Sequence, residues 1–410
     1  MHENKKILIV TIPEKGHINP MIGIAKELQN RGYELAFFAQ TNIKEQVVKA
    51  GLDVPVFFNS LDKDGLVTKG KTFVEKLQDK AWLQNWIKTL LIDAVPSQVQ
   101  VIEDVVKQYC PALIVTDPMV YAAAIVANQH QIPWVGVSSS LNPVTPDKWE
   151  CDLTMTLQTF AQDRNEIFQK YLQEARFRVS DLISPWLNIV FSTEEYAPRS
   201  FSNNTFSFYV GHSFPDGDRG DEQDFPFHLL RKDSKKVYMS LGSQVYYHPK
   251  LFAMVQQAMQ GSDVQLIFSM NELVHTPFVK TLNENVIAVE YAPQLRLLPH
   301  IDLMISHGGA NSVMECLAHG KPIALLPICN DQFLQAKFVA YNKAGKIFDT
   351  YKATVEDIRA GLHMLLEDDA EERKNALKIA DSFARHQGPF EAAVLIEKLF
   401  CSRTPLMPLV

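Results

Sequence analysis

Short apolar runs alternate with amphipathic, helix-forming segments along most of the chain, and this alternation limits the fold more than any other feature. The apolar runs lack a regular polar alternation, as expected for strands covered on both faces by helices. Strand and helix in strict succession indicate parallel sheets with right-handed crossovers. We therefore predict an α/β protein built from doubly wound sheets.

Two sets of strands are predicted, with a polar segment between them. The first set lies at 6–12, 33–39, 54–58, 112–117 and 133–139, and the second at 236–243, 264–269, 286–290, 303–306, 322–327 and 346–348. Helix-rich inserts are predicted at roughly 72–109 and 147–186. A length of 410 residues agrees with two domains of ordinary size.

The predicted domains are an N-terminal domain over 1–211, a linker over 212–235 and a C-terminal domain over 236–385. A final helix and tail over 386–410 is predicted to pack back on the first domain. Ligands of doubly wound sheets bind outside the carboxyl ends of the strands. We therefore expect the two domains to face each other across an inter-domain cleft that binds the ligands.

Composition excludes several classes of protein. A hydrophobic fraction of 46% and a charged fraction of 21% are those of a globular chain, and the net charge of −7 offers no basis for binding nucleic acid. Five scattered cysteines without C-x-x-C indicate neither a disulfide framework nor a zinc site. The apolar stretches are too short for a signal peptide or a transmembrane helix, so we expect a cytoplasmic location.

Residues 65–72 read GLVTKGKT and match the phosphate-loop pattern, in which Lys71 would reach phosphates and Thr72 a magnesium ion. A working phosphate loop starts where a buried strand ends, whereas NSLDKD separates Gly65 from the strand VPVFF. The strand ALIVTD could supply a magnesium-binding Asp, so a P-loop-type ATPase stays an alternative. The DGD sequence at 216–218 mimics a D-x-D metal motif, but it lies in the polar linker and we interpret it as a turn.

Residues 306–348 hold the densest set of candidate binding residues. A predicted strand ends at Ser306, two glycines follow, and a helix begins near Asn311. A helix N-terminus behind a glycine turn offers N–H groups that bind phosphate, and Glu315 could accept hydrogen bonds from ribose hydroxyls. A purely structural interpretation is also open, because Ser312 and Glu315 have the spacing of a capping box.

The motifs of this half of the chain resemble those of a known family. H-G-G-x-x-S-x-x-E, G-x-P and P-x-x-x-D-Q are similar to the donor-binding signature of the inverting UDP-dependent glycosyltransferases of secondary metabolism. That family includes plant UDP-glycosyltransferases and bacterial macrolide and antibiotic glycosyltransferases. YAPQLRLLPH, VYMSLGS, KGHINP and LIVTDP extend the resemblance. It implies a glycosyltransferase B-type fold, with two facing Rossmann-like domains that bind the acceptor and the nucleotide sugar.

The resemblance also implies donor-binding roles by position. The Tyr291 ring would stack on the base and the Ala292 backbone would pair with its edge. The family carries Trp at the stacking position, so uracil and thymine both stay open, and Ala310, where plant members have Trp, favours the bacterial branch. The remaining roles concern the ribose (Gln294, Glu315), the diphosphate (Ser243, His307, Gly309, Asn311, Ser312) and the sugar hydroxyls (Asp331, Gln332), the last pair favouring glucose.

His17 and Asp117 are the candidate catalytic residues. His17 lies in a predicted loop ahead of a helix that starts at Pro20, and Asp117 ends the strand ALIVT at the same sheet edge. A carboxylate beside an imidazole fixes its tautomer and stabilises the imidazolium, and the resemblance places a base and its supporting acid here. The structural alternatives are an exposed loop histidine and a helix cap before Val120.

The predicted reaction is an inverting transfer of a hexose, glucose favoured, from a nucleotide diphosphate sugar to a hydroxyl of a small apolar or aromatic acceptor. UDP-glucose would be a co-substrate, and neither a cofactor nor a metal ion is expected. Candidate acceptor-binding residues are Trp82 and Trp86, four positions apart on one helical face beside Leu90, a pattern equally typical of a core. A second candidate wall lies in the other insert, with Trp149, Phe160, Phe168 and Phe177.

Other functions stay as alternatives. A non-catalytic sugar-nucleotide-binding partner protein would keep the fold without turnover, but it would not need both His17 and Asp117. A sugar-nucleotide epimerase would need more acidic and basic groups at the sugar. A nicotinamide-dependent enzyme is disfavoured, because no G-x-G-x-x-G follows a strand.

Overall fold

The computed structural model describes residues 4–59, 69–198, 206–215, 219–220 and 223–408. The chain divides into two compact units, each with its own parallel sheet, and the α/β prediction is confirmed. The first unit contains Met1–Leu66, Asp79–Asp221 and His386–Val410. The second contains Val67–Gln78 and Glu222–Arg385. The structure therefore differs from a continuous first domain over 1–211, because a short segment of it groups with the second unit.

A seven-stranded sheet forms the centre of the first unit, in the order β3-β2-β1-β4-β5-β8-β9, and all neighbouring strands are parallel. Residues Ile7–Val10 of β1 are fully buried, which explains the unbroken apolar run. The strands are β1 (Lys6–Val10), β2 (Glu34–Ala39), β3 (Val56–Phe58), β4 (Leu113–Thr116), β5 (Trp134–Ser138), β8 (Leu187–Val190) and β9 (Ser207–Tyr209). A separate antiparallel pair is formed by β6 (Phe177–Arg178) and β7 (Asp181–Leu182).

Strands β8 and β9 were absent from the predicted set. Each is only three or four residues long and contains a polar residue, Asn188 or Ser207, that is nevertheless buried. Asn188 satisfies its buried amide by donating to the Ser184 carbonyl and accepting the Ser184 backbone N–H. Hydrogen bonds that satisfy a buried polar side chain in this way are invisible in a pattern of apolar residues.

The helices of the first unit flank its sheet. They are α1 (Lys15–Asn30), α2 (Lys44–Lys49), α4 (Lys80–Lys88), α5 (Val95–Tyr109), α6 (Tyr121–Gln129), α7 (Asp152–Thr159), α8 (Ala161–Lys170) and α15 (Gly388–Ser402). A π-helical turn, Thr89–Asp93, follows α4 and places Leu90 at the surface, 37% exposed. Leu90 thus leaves the helical face that carries Trp86.

Helix α1 begins at Lys15, so the prediction that it starts at Pro20 is wrong. The backbone N–H groups of His17 and Ile18 both donate to the Glu14 carbonyl, at 2.9 and 3.0 Å, and this starts the first turn. Pro20 removes only one intrahelical hydrogen bond near the helix start, where several N–H groups lack helical partners in any case. His17 consequently lies in the first helical turn and not in a loop.

The C-terminal helix α15 packs against α1 within the first unit. The rings of Tyr33 and Phe400 meet edge to face at 5.0 Å between centroids, and Arg31 donates to Glu397 at 2.8 Å. Gly23 allows the close approach, because a Cβ atom there would lie 2.9 Å from the Pro389 side chain. Residues far apart in the chain therefore share one core.

A six-stranded parallel sheet in the order β12-β11-β10-β13-β14-β15 forms the second unit. All six predicted strands are present: β10 (Lys235–Ser240), β11 (Val264–Ser269), β12 (Val286–Val289), β13 (Leu303–Ser306), β14 (Ile323–Leu325) and β15 (Gly345–Ile347). Its helices are α3 (Gly70–Lys76), α9 (Pro249–Ala258), α10 (Gln294–Leu297), α11 (Ala310–Ala318), α12 (Gln332–Tyr341), α13 (Val355–Leu366) and α14 (Glu371–Phe383). Phe252, Phe268 and Leu362 are fully buried in the core between the sheet and α9 and α13.

Candidate functional site

The first candidate site lies where the strand order of the first sheet reverses. The chain winds outward from β1 to β2 and β3 on one side, and from β4 to β5 on the other, so a crevice opens beyond the adjacent ends of β1 and β4. Val10 and Thr116 are the paired last residues of these strands, and the Asp117 N–H donates to the Val10 carbonyl at 2.9 Å. Asp117 and the helix that carries His17 therefore start from neighbouring points of one sheet edge.

The predicted pair is in contact. His17 Nδ1 lies 2.6 Å from Asp117 Oδ2, and the second carboxylate oxygen accepts the Met119 N–H at 2.9 Å. The Asp117 side chain is 2% exposed and that of His17 is 24% exposed. Donation from Nδ1 to the carboxylate leaves the lone pair of the neutral ring on Nε2, which is the arrangement a general base needs.

Ser139 is a residue at this site that the sequence analysis missed. It follows β5, the neighbour of β4, and its Oγ lies 3.1 Å from His17 Nδ1. The SSS run that directly follows a buried strand was the available signal, because strand ends in one parallel sheet share an edge. Ser139 adds a second polar contact at the nitrogen that faces Asp117.

A buried carboxyl group, Asp181, supports the loop that carries Ser139. Its oxygens accept hydrogen bonds from Ser138 Oγ and, at 2.7 Å, from Asn142 Nδ2. Burial, followed by the nearby negative charge of Asp117, raises the pKa of Asp181 to about 7. The sequence alone gave no signal for Asp181, because β7 is only two residues long and Asp181 lies 64 positions after Asp117 in the chain.

Glu14 adds a third carboxyl group at the start of α1. Its Oε2 is buried, and burial raises the pKa of this group, while the nearby His17 lowers it to a smaller extent. Glu14 also provides the backbone carbonyl that begins the turn containing His17. His17 therefore has acidic groups on more than one side, and Asp117 is the one at 2.6 Å from its ring.

The second candidate site lies at the corresponding reversal of the second sheet, between β10 and β13. Ser240 and Ser306 are the paired last residues of these strands. The His307 ring is held between two glycines, since a Cβ on Gly242 or Gly309 would lie only 2.6 or 2.7 Å from ring atoms. Both glycines are therefore required by the close approach of the imidazole.

Burial lowers the pKa of His307 to about 4, and a hydrogen bond to the Ser240 carbonyl opposes this shift. The ring is therefore neutral near pH 7. With one ring nitrogen facing a carbonyl, the other nitrogen can donate only when the ring gains a proton. A negatively charged ligand bound beside His307 would favour the protonated form of the ring.

Helix α11 begins directly behind the glycine turn. Gly309 is its N-cap residue with no side-chain cap, and the Gly308 N–H donates to Ser306 Oγ at 3.1 Å. Asn311 and Ser312 lie in the first turn of this helix, as the phosphate-binding prediction requires. The alternative capping-box interpretation is wrong, because the cap is three residues before Ser312.

Glu315 instead makes a tertiary contact. It is 1% exposed, and its Oε2 accepts a hydrogen bond from Gln294 Nε2 at 2.7 Å. The Gln294 carbonyl oxygen in turn accepts from the Tyr238 hydroxyl at 3.4 Å. The two residues predicted to bind a ribose are thus brought together from α10 and α11.

The remaining predicted donor residues lie on loops at the same sheet edge. Tyr291 is half-buried after β12, and the Ala292 N–H donates to Ser269 Oγ at 3.3 Å. Asp331 is the N-cap residue of α12. The Gln332 side chain is buried and its Oε1 accepts the N–H groups of Ile328 and Cys329, at 2.8 and 3.0 Å, so it shapes the loop.

The predicted acceptor residues Trp82 and Trp86 stack in α4, with ring centroids 6.2 Å apart and 24° between the planes. Trp86 is buried and Trp82 half-buried. One aromatic of the other candidate wall, Phe168, is a core residue at 1% exposure, and it meets the half-buried Phe177 ring edge to face.

The phosphate-loop interpretation of 65–72 is not supported. Residues 65–68 lie outside the described residues, and Lys71 lies in α3, with its Nζ 3.9 Å from Glu75 and 5.9 Å from the centre of the Tyr247 ring. The DGD sequence at 216–218 also lies outside the described residues. Among the residues that the structure describes, none form a cluster of three metal-ligating side chains, and no helix has the length and apolarity to span a bilayer.

Comparison with known proteins relates the second half of the chain to one family. Residues 233–395 match the family model described as "UDP-glucoronosyl and UDP-glucosyl transferase". The Bacillus subtilis (strain 168) protein named "Uncharacterized UDP-glucosyltransferase YdhE" is 25% identical over 375 residues, which cover 89% of this chain and 91% of that protein. Oleandomycin glycosyltransferase of Streptomyces antibioticus is 24% identical over 409 residues, covering 95% and 90%.

Solved structures of glycosyltransferases share the fold of this chain. The crystal structure of the glycotransferase of kitacinnamycin is similar with a TM-score of 0.76 and 19% identity, covering 96% of this chain and 99% of that one. This likeness, with the two parallel-sheet units, assigns the glycosyltransferase B-type fold. Residues 233–395 therefore correspond to a UDP-glucoronosyl and UDP-glucosyl transferase domain, and over most of its length the chain is similar to bacterial glycosyltransferases.

Proposed function

We propose that the protein transfers a hexose, with glucose preferred, from a nucleotide diphosphate sugar to a hydroxyl group of a small apolar or aromatic acceptor, with inversion at the anomeric carbon. The observation that carries this proposal is the 2.6 Å contact between His17 and Asp117 at the edge of the first sheet. The names of the two relatives support UDP-glucose as donor and a macrolide-like compound as acceptor. Five free cysteines, two of them exposed, are compatible with a reducing compartment, and we place the enzyme in the cytoplasm.

In the proposed mechanism, His17 Nε2 removes the proton of the acceptor hydroxyl as its oxygen attacks the anomeric carbon. The new oxygen–carbon bond forms on the face opposite the bond to the diphosphate, which breaks with its electron pair remaining on the leaving oxygen. Asp117 stabilises the imidazolium that results. The removed proton stays on His17 until solvent takes it up.

The second unit would hold the donor. The Tyr291 ring stacks on the base, the Ala292 backbone reads its edge, and the Gln294–Glu315 pair binds the ribose hydroxyls. Backbone N–H groups at Gly309 and Asn311, the hydroxyls of Ser243 and Ser312, and His307 receive the diphosphate charge. Asp331 and Gln332 would bind the sugar hydroxyls, with Gln332 also holding the loop through the bonds described above. Dipoles fixed before the reaction stabilise developing charge without reorganisation, and this scheme needs no metal ion.

The acceptor would bind in the first unit, with Trp82 and Trp86 as an apolar wall. Aromatic rings offer large apolar contact areas to flat or polycyclic acceptors. The ATPase alternative lacks support, because Lys71 is engaged on Glu75 and Tyr247.

The decisive experiment combines binding and product analysis. Calorimetry should show binding of UDP or dTDP and their glucose conjugates, with weaker binding of ATP. Incubation with these donors and a panel of phenols and macrolide aglycones should yield a β-glucoside from the α-configured donor, detected by NMR. An α-linked product would overturn inversion, and an absence of nucleotide binding would overturn the donor assignment.

A further inference from the structure

A segment from the N-terminal half of the chain folds as part of the second unit. Residues 67–78 group with Glu222–Arg385, although they lie between β3 and α4 of the first unit in sequence. The described part, 69–78, contains α3 and is called the donor strap below. Phe73, in the middle of the strap, is fully buried, so the strap is anchored by a core contact and not only by its ends.

The first end of the strap is seated on the loop after β10. The Gly70 N–H donates to the Gln244 carbonyl at 3.0 Å. Gly70 has φ +77°, and a Cβ atom there would lie 2.9 Å from the Tyr246 hydroxyl. Gln244 directly follows Ser243, and Gly242 in the same loop packs against the His307 ring. The strap therefore touches the loop that forms one side of the proposed diphosphate site.

The other end of the strap reaches the loop after β15. The Gln78 side chain hydrogen-bonds to the Tyr351 hydroxyl. Thr350, next to it, donates to the Pro327 carbonyl at 2.6 Å, which joins this loop to the one that leads to Asp331. Both anchoring loops follow the carboxyl ends of their strands, so the strap lies at the sheet edge where ligands of such sheets bind.

The length of the strap matches the distance it spans. β13 and β14 lie between β10 and β15 in the sheet, and three inter-strand steps amount to about 14 Å. A helical segment from Gly70 to Gln78 covers about 12 Å, and the side chains at its ends supply the rest. A segment of this length can reach from the loop after β10 to the loop after β15, on the side of β10 where β13 and β14 lie.

We propose that the donor strap is part of the nucleotide-sugar site and determines how tightly the sugar-diphosphate end of the donor is held. This inference rests on the proposed function. The strap contacts the side of the site assigned to the diphosphate and sugar, whereas Tyr291 and Gln294 follow β12, on the far side of β10 from the strap. Disturbing its seat therefore weakens sugar-diphosphate binding and leaves nucleoside binding intact.

Gly70→Ala tests the seat. The added Cβ meets the Tyr246 hydroxyl, so the strap or the Ser243 loop must shift. We expect the affinity for UDP-glucose to fall about tenfold, the usual scale for overpacking a close contact, with the affinity for UMP unchanged. Gly261→Ala is the matched control, because Gly261 also has positive φ, +84°, but nothing lies within 4 Å of its added Cβ. Tyr246→Phe in the Gly70→Ala background removes the clashing hydroxyl and should restore most of the affinity.

Calorimetry with UMP and UDP-glucose on the full chain distinguishes the outcomes. Equal affinities in Gly70→Ala and Gly261→Ala would overturn the inference and leave the proposed function standing. A parallel loss of UMP binding, or no rescue by Tyr246→Phe, would assign the strap a general structural role and overturn it too. If the unsubstituted protein bound neither UMP nor UDP-glucose, the proposed function would be wrong, and the inference that rests on it would be wrong as well.

Discussion

The two sheets present the same topological feature with opposite chemistry. At the reversal of the first sheet, an imidazole contacts a buried carboxylate, and two further carboxyl groups with raised pKa values lie nearby. At the reversal of the second sheet, the imidazole is buried between glycines with its pKa lowered to about 4, beside the start of a helix.

This difference separates two tasks that a single site could not combine. Proton removal needs a base whose conjugate acid is stabilised by a nearby negative charge. A diphosphate leaving group needs the reverse, a surface of donors without carboxylates that would repel it. Under the proposed function, the first site would stabilise the protonated base, and the second would offer backbone N–H groups to the anion.

The largest effect is expected from removing the base. His17→Ala should lower the transfer rate by about three orders of magnitude, while the affinity for UDP, measured by calorimetry, stays within twofold of the parent value. Asp117→Asn should also lower the rate, because an amide at this position can donate to Nδ1 and so favour the wrong tautomer. Near-normal turnover in the His17→Ala variant would contradict the assignment of proton removal to the first site.

Gly242→Ala should break the second site without affecting the first. Its Cβ would lie 2.6 Å from His307 Cε1, and the backbone has φ +74°. We expect UDP affinity to fall tenfold or more, with Gly261→Ala again as control. Unchanged UDP binding would show that the position of His307 is unimportant for the donor.

Glu315→Ala should weaken nucleoside binding roughly tenfold, because it deletes a proposed ribose acceptor and takes the carboxylate partner from Gln294 Nε2. Binding of inorganic pyrophosphate should stay unchanged. Glu284→Ala, at an exposed position of the same unit, serves as control. An equal loss for pyrophosphate would contradict the ribose assignment.

The smallest effect is a change in the pH dependence of stability. Asp181 has a raised pKa, about 7, so its contribution is fully present below the unfolded value near 4 and is lost as the pH rises through 7. Asp181→Asn should remove this loss and flatten the dependence of the melting temperature between pH 5 and 8 by about 2–4 °C. His307 has the opposite sign, since its lowered pKa makes the folded state lose stability as the pH falls from about 6.5 towards 4. An unchanged slope in the Asp181 variant would show that this carboxyl is ionised in the folded protein.

All six strands of the second sheet were predicted, with every end within three residues of the observed one. Apolar runs such as LMIS in β13, which is buried along its length, account for most of this agreement. The start of α1 was wrong because Pro20 resembles a first-turn residue, while the true start depends on the Glu14 carbonyl. Helix starts are determined by individual hydrogen bonds, which local propensity does not encode.

The residues of the two candidate sites also fall into a group that the sequence predicted and a group that it did not. His17 and Asp117 could be predicted because each follows a strand end, and the 306–332 segment because its glycines and polar residues are contiguous. Ser139, Asp181 and the donor strap could not be predicted. Their partners are distant in the chain: Ser138 and Asp181 are 43 positions apart, and Gly70 and Gln244 are 174 positions apart.

By itself, the sequence determined the α/β class, and it predicted the carboxyl ends of the strands as the place of the candidate sites together with most of their residues. These properties follow from apolar periodicity and from the rule that parallel strands present their ends at one edge. Only the tertiary structure decided the contact of His17 Nδ1 with Asp117, the lowered pKa of His307 and the membership of residues 67–78 in the second unit. Each of these depends on burial and on contacts between distant segments, and both arise only when the chain folds.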